Sequence, residues 1–293
     1  MEKRAMKSKK HLKRRKPNRS RGGDFGIYLM LIFFGLFMAF PLVYAINSAF
    51  KPLNEIFVYP PRLFVQNPTF DNFQDLFVIM SKSWVPFSRY LFNTVFITIL
   101  GTAGHIIIAA MGAYVLAKYR FPGSRAFFGI VVTALMFNGY VTAIPNYLVM
   151  SKIGLVDTPW AVIIPAFASP MGLFLMKQYM EGIPDALLEA AKIDGAKEWS
   201  IFLTIVMPMV RPAWLTLMIL SIQALWNVRA SNFIYSEDLK TLPYALQQIV
   251  SGGIARAGVG AAVTLVMMLV PITTFIVVES NVIETMASSG IKD

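Results

Sequence analysis

The chain has 293 residues, is 56% hydrophobic and only 15% charged, has a mean hydropathy of +0.58 and carries a formal net charge of +11. It is too apolar for an ordinary soluble domain and too long for a single small one, so it reads as a multi-span membrane protein. The basicity does not describe a nucleic-acid-binding surface, because eleven Lys and Arg precede Asp24 and equal the whole excess, with no folded basic module beside them. Without cysteine there is neither a disulfide framework nor thiolate chemistry.

Residues 1–24 form a basic tail. Met1 to Arg21 is low in apolar residues and self-repelling, and is expected to be disordered in water. A basic run before the first apolar span holds that end in the cytosol, and it can adhere to anionic lipid at about 1 kcal/mol per basic residue near the surface. The uncharged run over about 25–46 suits a span better than the short apolar region of a signal peptide. Asn47 to Ser88 is polar and aromatic, and its prolines predict a loop with at most a short helix over Asp71 to Phe77.

Further spans are expected over about 90–116, 126–150, 160–176, 212–226 and 258–278, which makes 25–293 one six-span unit with both ends on one side. Pro145 is expected to end the third span, Pro165 and Pro170 to interrupt the fourth, and Pro271 to sit inside the sixth. Carbonyls freed by proline are tolerated at membrane depth only where protein or a wet cavity satisfies them, so these read as bundle-interior positions. Gly101, Gly104, Ala109, Gly112 and Ala113 predict close approach of neighbouring helices. Trp226 and Tyr44 fall near span ends, where aromatic belts are expected.

Between the fourth and fifth spans lies a polar, helix-forming loop, 181–208. Pro184 suits a first helical turn, Asp185 and Glu189 complement the positive end of the helix dipole, and Gly195 supplies a left-handed stop. Beyond it Trp199, Phe202, Leu203 and Val206 form one apolar stripe at helical spacing. Two short helices with a bend between them follow, and periodicity alone leaves open a hairpin lying at the membrane interface. Charge counting places the loop in the cytosol. With six spans, nineteen Lys and Arg fall on the side of the tail, among them Lys118, Arg120, Arg125, Lys177, Lys192, Lys197, Arg211 and Lys292, against eight on the other.

The chemistry of an enzyme is missing from this inventory. There are two histidines, His11 and His105, and no HExxH, GxSxG or GxxxxGK run, so zinc-hydrolase, serine-hydrolase and nucleotide-binding readings lack their parts. No metal site and no cofactor of its own is expected. Polar residues inside spans are expensive and tend to face a pathway, which makes His105, Asn138, Asn146, Gln223 and Asn227 candidates to line one. Hydrogen bonding between helices is the competing reading for each, worth about 0.6 kcal/mol on average.

Glu189-Ala190-Ala191, Asp194-Gly195-Ala196, and then Phe202, Ile205 and Pro208 resemble the EAA signature of the permease subunits of bacterial ABC importers, with Met207 where that family usually has Leu. The likeness extends in order through FPLVYAINSAFKPLNEIF, NPTFDNFQDLF, RYLFNTVFIT, GAYVLAKYRFPG, IPNYLVMSKIGLVDTPWA, ASPMGLFLMKQYMEGIPDALLEAAKIDGA and SGIKD. The chain thus resembles carbohydrate-importer permeases of the branch of the second membrane subunit of the maltose system. The resemblance implies an all-α membrane protein of the type I permease fold, in a bacterial cytoplasmic membrane, with both termini cytosolic. Its implied partners are membrane lipid, a second related permease, two ATPase subunits that bind the ATP and Mg, an extracellular solute-binding protein and a carbohydrate substrate.

On the same resemblance Glu189, Ala190, Ala191, Asp194, Gly195 and Ala196 are the coupling residues. Glu189 is the polar contact on the ATPase, the alanines allow close approach and Gly195 makes the bend. The loop from Arg229 to Ala257 is similar to the segment that reaches the binding protein, with Arg229 and Arg256 as contacts. After Trp226-Asn227 that family commonly has an acidic and an aromatic residue, whereas this chain has Val228-Arg229, a cation that either favours an acidic sugar or is simply solvated. A secondary transporter or channel subunit is the alternative function; it would need neither the EAA loop nor an ATPase.

Overall fold

The computed structural model describes residues 21–137, 139–253 and 256–289, and side chains between Gly23 and Glu279 among them. The basic tail up to Ser20, Asn138 and the closing residues from Gly290 lie outside the described residues. The described chain is helical. In order it comprises α1 (Arg21–Ala49), α2 (Leu53–Ile56), α3 (Asp71–Ser81), α4 (Phe87–Lys118), α5 (Ser124–Ala134), α6 (Gly139–Lys152), α7 (Trp160–Phe167) and α8 (Pro170–Glu181). Then follow α9 (Asp185–Ile193), α10 (Glu198–Ser200), a π-helical stretch (Ile201–Val206), α11 (Met207–Met209), α12 (Arg211–Trp226), a 3-10 turn (Glu237–Leu239), α13 (Leu242–Val250) and α14 (Ala257–Ser289).

Four segments are long and apolar enough to cross a bilayer: Gly23–Ala49, Phe87–Lys118, Trp160–Glu181 and Ala257–Glu279. Two bent pairs, α5 with α6 and Glu198–Met209 with α12, raise the number to six if each is one span. The expected third span is therefore two helices that meet at 114°, and Pro145 lies inside α6 instead of ending the span. The chain turns at Leu135–Phe137, before the proline is reached. The helix of the expected fifth span, α12, begins after a 77° bend, and its 16 residues reach about 24 Å, short of a full hydrocarbon core. The fourth is interrupted as anticipated, with Pro165 inside α7 and Pro170 opening α8. The first long connection holds two helices where at most one is expected, the single turn α2 and then α3, which runs four residues past Phe77.

At the centre lies α4, packed against α7, α8 and α12, while α14 packs against α12, α1 and α3. Small residues let α4 take this place. A side chain on Gly101 would meet Leu225 of α12 within 2.6 Å, one on Gly104 would run into Phe167 of α7, and one on Gly112 would reach Leu173 of α8 at 3.0 Å. Ala109 and Ala113 are buried on the same helix, so all five small positions sit at close contacts.

At Pro271 a tryptophan takes up the freed carbonyl. Pro271 cannot donate to the carbonyl of Met267, and the indole of Trp226 donates to it instead, at 3.1 Å. Trp226 is thus a buried pin between α12 and α14, not a member of an interfacial belt. At the bend before α12, Trp214 donates to the carbonyl of Met207 at 3.1 Å, tying the start of α12 to α11.

Candidate functional site

Two regions stand at opposite ends of α4, a helix of 32 residues and hence about 48 Å long. Near its start, Tyr90 donates to Glu237 at 2.9 Å, Asn93 to the carbonyls of Asp238 and Lys240 at 2.8 and 3.0 Å, and Thr94 accepts the amide of Leu242 at 2.8 Å. Near its end, Tyr114 donates to Glu198 at 3.1 Å, and Lys118 binds the carbonyl of Ile183 at 2.5 Å and the carboxylate of Asp185 at 2.8 Å.

The second of these regions is the polar loop 181–208. Pro184 is the residue before the helix, with extended backbone, and α9 starts at Asp185. Helix α9 ends where glycine permits it. Gly195 has φ +82°, its amide bonds the carbonyl of Lys192, and that of Ala196 bonds Ala191, both at 3.0 Å, which is the paired closure of a Schellman stop. Leu188 is buried and Ala191 and Ala196 pack against the same core as Met176, Met180, Ile201, Phe202 and Val206, whereas Glu189, Ala190 and Asp194 face outward. Ile193 is 86% exposed. Lys192 pairs with Glu198 at 2.7 Å across the bend. That ion pair and the Tyr119 hydroxyl hold the Glu198 carboxyl below its usual range, and the hydrogen bond from Lys118 does the same for Asp185.

The apolar stripe beyond the bend is only half as expected. Phe202 and Val206 are buried, but Trp199 and Leu203 are 61% and 58% exposed, and Ile201 and Ile205 turn to the core in their place. The backbone widens to i to i+5 bonding here, as where the amide of Met207 meets the carbonyl of Phe202, so the 3.6-residue register fails. Widening relieves the clash that the Pro208 ring would make with the carbonyl of Thr204 in an α-helix.

At the other end, the connection after α12 and the helix α13 fold over α14. Asp157, itself at φ +62°, is the clasp: its carboxylate accepts the amides of Tyr235 and Ser236, both at 2.8 Å, and the hydroxyl of Ser236, while its own amide bonds the carbonyl of Phe233 at 2.7 Å. Those donors, the Ser236 hydroxyl foremost, depress the Asp157 carboxyl below its usual range. Beneath this connection, α13, α14, the end of α12 and Leu42 of α1 line a partly open cavity of about 780 Å³.

Of the polar residues proposed to line a pathway, Asn227 lies on the wall of this cavity together with Arg229 and Arg256. His105 is buried away from it, bonded to Ser221 of α12 at 2.7 Å and pressed against Gly172 of α8. Asn146 and Gln223 are exposed on α6 and α12, and Asn138 lies outside the described residues. Gln247, which sequence reasoning passed over because it lies outside every span, lines the cavity with Asn227. Among the described residues no three of His, Cys, Asp and Glu are placed to share a metal ion.

An apolar helical bundle that presents a short amphipathic helix at one end, and at the other a mostly apolar cavity whose wall carries Asn227, Arg229, Gln247 and Arg256, is a membrane transport subunit in form. The match to the family described as "Binding-protein-dependent transport system inner membrane component" covers residues 105–284, more than half of the chain, and the chain belongs to that family. It is a multi-pass component of the cytoplasmic membrane and a transport permease, not an enzyme. It is 32% identical over 231 residues to the arabinooligosaccharides transport system permease protein AraQ of Halalkalibacterium halodurans, covering 75% of this chain and 78% of the relative. It is 30% identical over 229 residues to the polygalacturonan/rhamnogalacturonan transport system permease protein YtcP of Bacillus subtilis, with 78% of each chain covered. Among solved structures it matches a bacterial ABC transporter involved in the import of the acidic polysaccharide alginate, with a TM-score of 0.74 and 25% identity over 90% of this chain and 99% of that one.

Proposed function

We propose that the chain is the six-span permease subunit of an ATP-driven carbohydrate importer, driven through the loop around α9 by a separate ATPase. The single observation that carries this reading is the form of that loop. It is a helix fixed to the bundle on one face by Leu188, Ala191 and the Lys118–Asp185 and Lys192–Glu198 pairs, while Glu189, Ala190 and Ile193 stay outward with nothing described upon them. A rigidly held helix with an apolar and acidic outer face is built to take a push from a protein partner and pass it on.

The two bent pairs supply the third and fifth of six crossings in this reading, and the excess of Lys and Arg on the tail's side supports a cytosolic position for both termini and the α9 loop. A closing ATPase pair, carrying the ATP and Mg, would then swing α4 through its bonds to the loop and move the cavity at the far end between inward and outward access. A second permease and lipid cover α1, whose apolar surface is almost wholly exposed. The carbohydrate, delivered by an extracellular binding protein, is supported by relatives that carry oligosaccharide names.

Glu189→Lys and Gly195→Pro, made separately, test the reading in the assembled complex. ATPase co-purification or sugar-coupled hydrolysis is expected to fall by at least tenfold, and a complex with both intact would remove the docking role. Uptake that persists without the ATPase on an intact proton gradient would favour a secondary transporter instead.

A further inference from the structure

The cavity beneath α13 has a charge imbalance that importing a sugar does not by itself require. Its wall joins Arg229, from the connection after α12, and Arg256, from the turn before α14, and no carboxylate lines it among the described residues. Arg229 is exposed, and its guanidinium meets no acceptor or ring among the described residues. Arg256 is aimed: its Nη1 donates to the carbonyl of Ile249 at 3.3 Å, and its stem lies over Gly252, where a side chain would come within 2.6 Å of its Cδ. The first turn of α14 faces the same space through Ala257 and Gly260, and the amino end of a helix favours negative charge. A space with two guanidinium groups and no counter-charge is completed by an anionic ligand, which arginine can bind through two parallel hydrogen bonds.

We infer that this cavity selects a carbohydrate bearing carboxylates, an oligosaccharide of uronic acid units. Arg229 and Arg256 determine the specificity, and Asn227 and Gln247 bond the hydroxyls. The inference rests on the carbohydrate-importer reading and adds the substrate class. A small phosphorylated polyol would offer the same anionic oxygens, but a volume of about 780 Å³ is in the upper range of small-molecule clefts and accommodates a chain of sugars.

The chain has no cysteine, so Thr264→Cys places a single thiol of this subunit on the cavity wall. In the complete complex, with partner permease and ATPases in lipid nanodiscs, maleimide labelling of that thiol is timed with trigalacturonate, its methyl-esterified neutral form, or glycerol phosphate. Trigalacturonate should slow labelling at least tenfold and the neutral form should not. The protection should vanish in Arg229→Ala/Arg256→Ala and persist in part in the paired Lys variant, which also controls for folding. Equal protection by acid and ester, protection that survives the double Ala substitution, protection by glycerol phosphate alone, or no protection at all would each overturn the inference. ATPase association and activity in the same preparation are read separately. Their loss with protection intact would sink the importer reading and leave the anion site standing.

Discussion

The loop around α9 and the connection around α13 occupy opposite ends of one helix and are built on contrary plans. The first is fastened from below by an apolar core and by ion pairs between side chains, Lys118 with Asp185 and Lys192 with Glu198, and its outer face is left bare. The second is fastened mainly by hydrogen bonds to backbone, from Asn93, Thr94 and Asp157, and closes over a cavity with two arginines on its wall. On the proposed function, the contrast separates a surface shaped for a protein from a space shaped for a solute. Helix α4, fastened to both, is the element through which one end can move the other.

Breaking the α9 end should have the largest effect. Gly195→Val puts a β-branched residue at φ +82°, where strain costs on the order of 1–3 kcal/mol, and it loosens the stop that sets the angle between α9 and the helix after it. Coupled hydrolysis should fall by at least tenfold while ATPase-independent properties, such as membrane insertion, stay unchanged. Thr94→Val strikes the other end. It leaves the buried amide of Leu242 without its acceptor, a loss of about 1–3 kcal/mol, and hydrogen exchange should rise over 237–246 and not over 185–198. Spread of the effect to both loops would show that the two ends are not independently fastened.

The Asp157 clasp gives a pH test. Its carboxyl is depressed in the folded chain, so its contribution is fully present above the ordinary carboxylate value near 3.9 and is lost as pH falls through the lower folded value. Protection of 233–236 from exchange should therefore be flat from pH 8 to pH 5 and decline only in stronger acid, and Asp157→Asn should abolish that acid dependence. The smallest effect is expected from Glu198→Gln. That carboxylate is half exposed, so losing its pair with Lys192 should cost under about 1 kcal/mol, seen as a modest rise in exchange at α9.

Much of the α9 end was legible in the sequence. A helix start after Pro184, a glycine stop and an outward Glu189 are local matters, decided within a few residues. The exposed Trp199 and Leu203 were not, because the periodicity argument supposes 3.6 residues per turn and Pro208 widens the turn that precedes it. The bend between α5 and α6 was hidden too, for an apolar run with its proline eleven residues past α5 gives no sign of a turn at Leu135. Of the polar residues marked to line a pathway, Asn227 lies on the cavity wall and His105 does not, since composition cannot say whether a buried polar group faces a cavity or a neighbouring serine; Arg229 and Arg256, marked by the resemblance as contacts of a binding protein, lie on the same wall.

The indole of Trp226 on the carbonyl left by Pro271 makes two distant positions mutually dependent. A change of Pro271 to alanine would restore an amide that competes for the same oxygen, so the substitution that mends α14 would also free Trp226 from its place in α12. Trp226→Phe alone orphans the carbonyl, and Pro271→Ala alone evicts the indole, so the pair can be exchanged without loss only together. A double-mutant cycle across these sites should be strongly non-additive, although 44 positions of sequence lie between them.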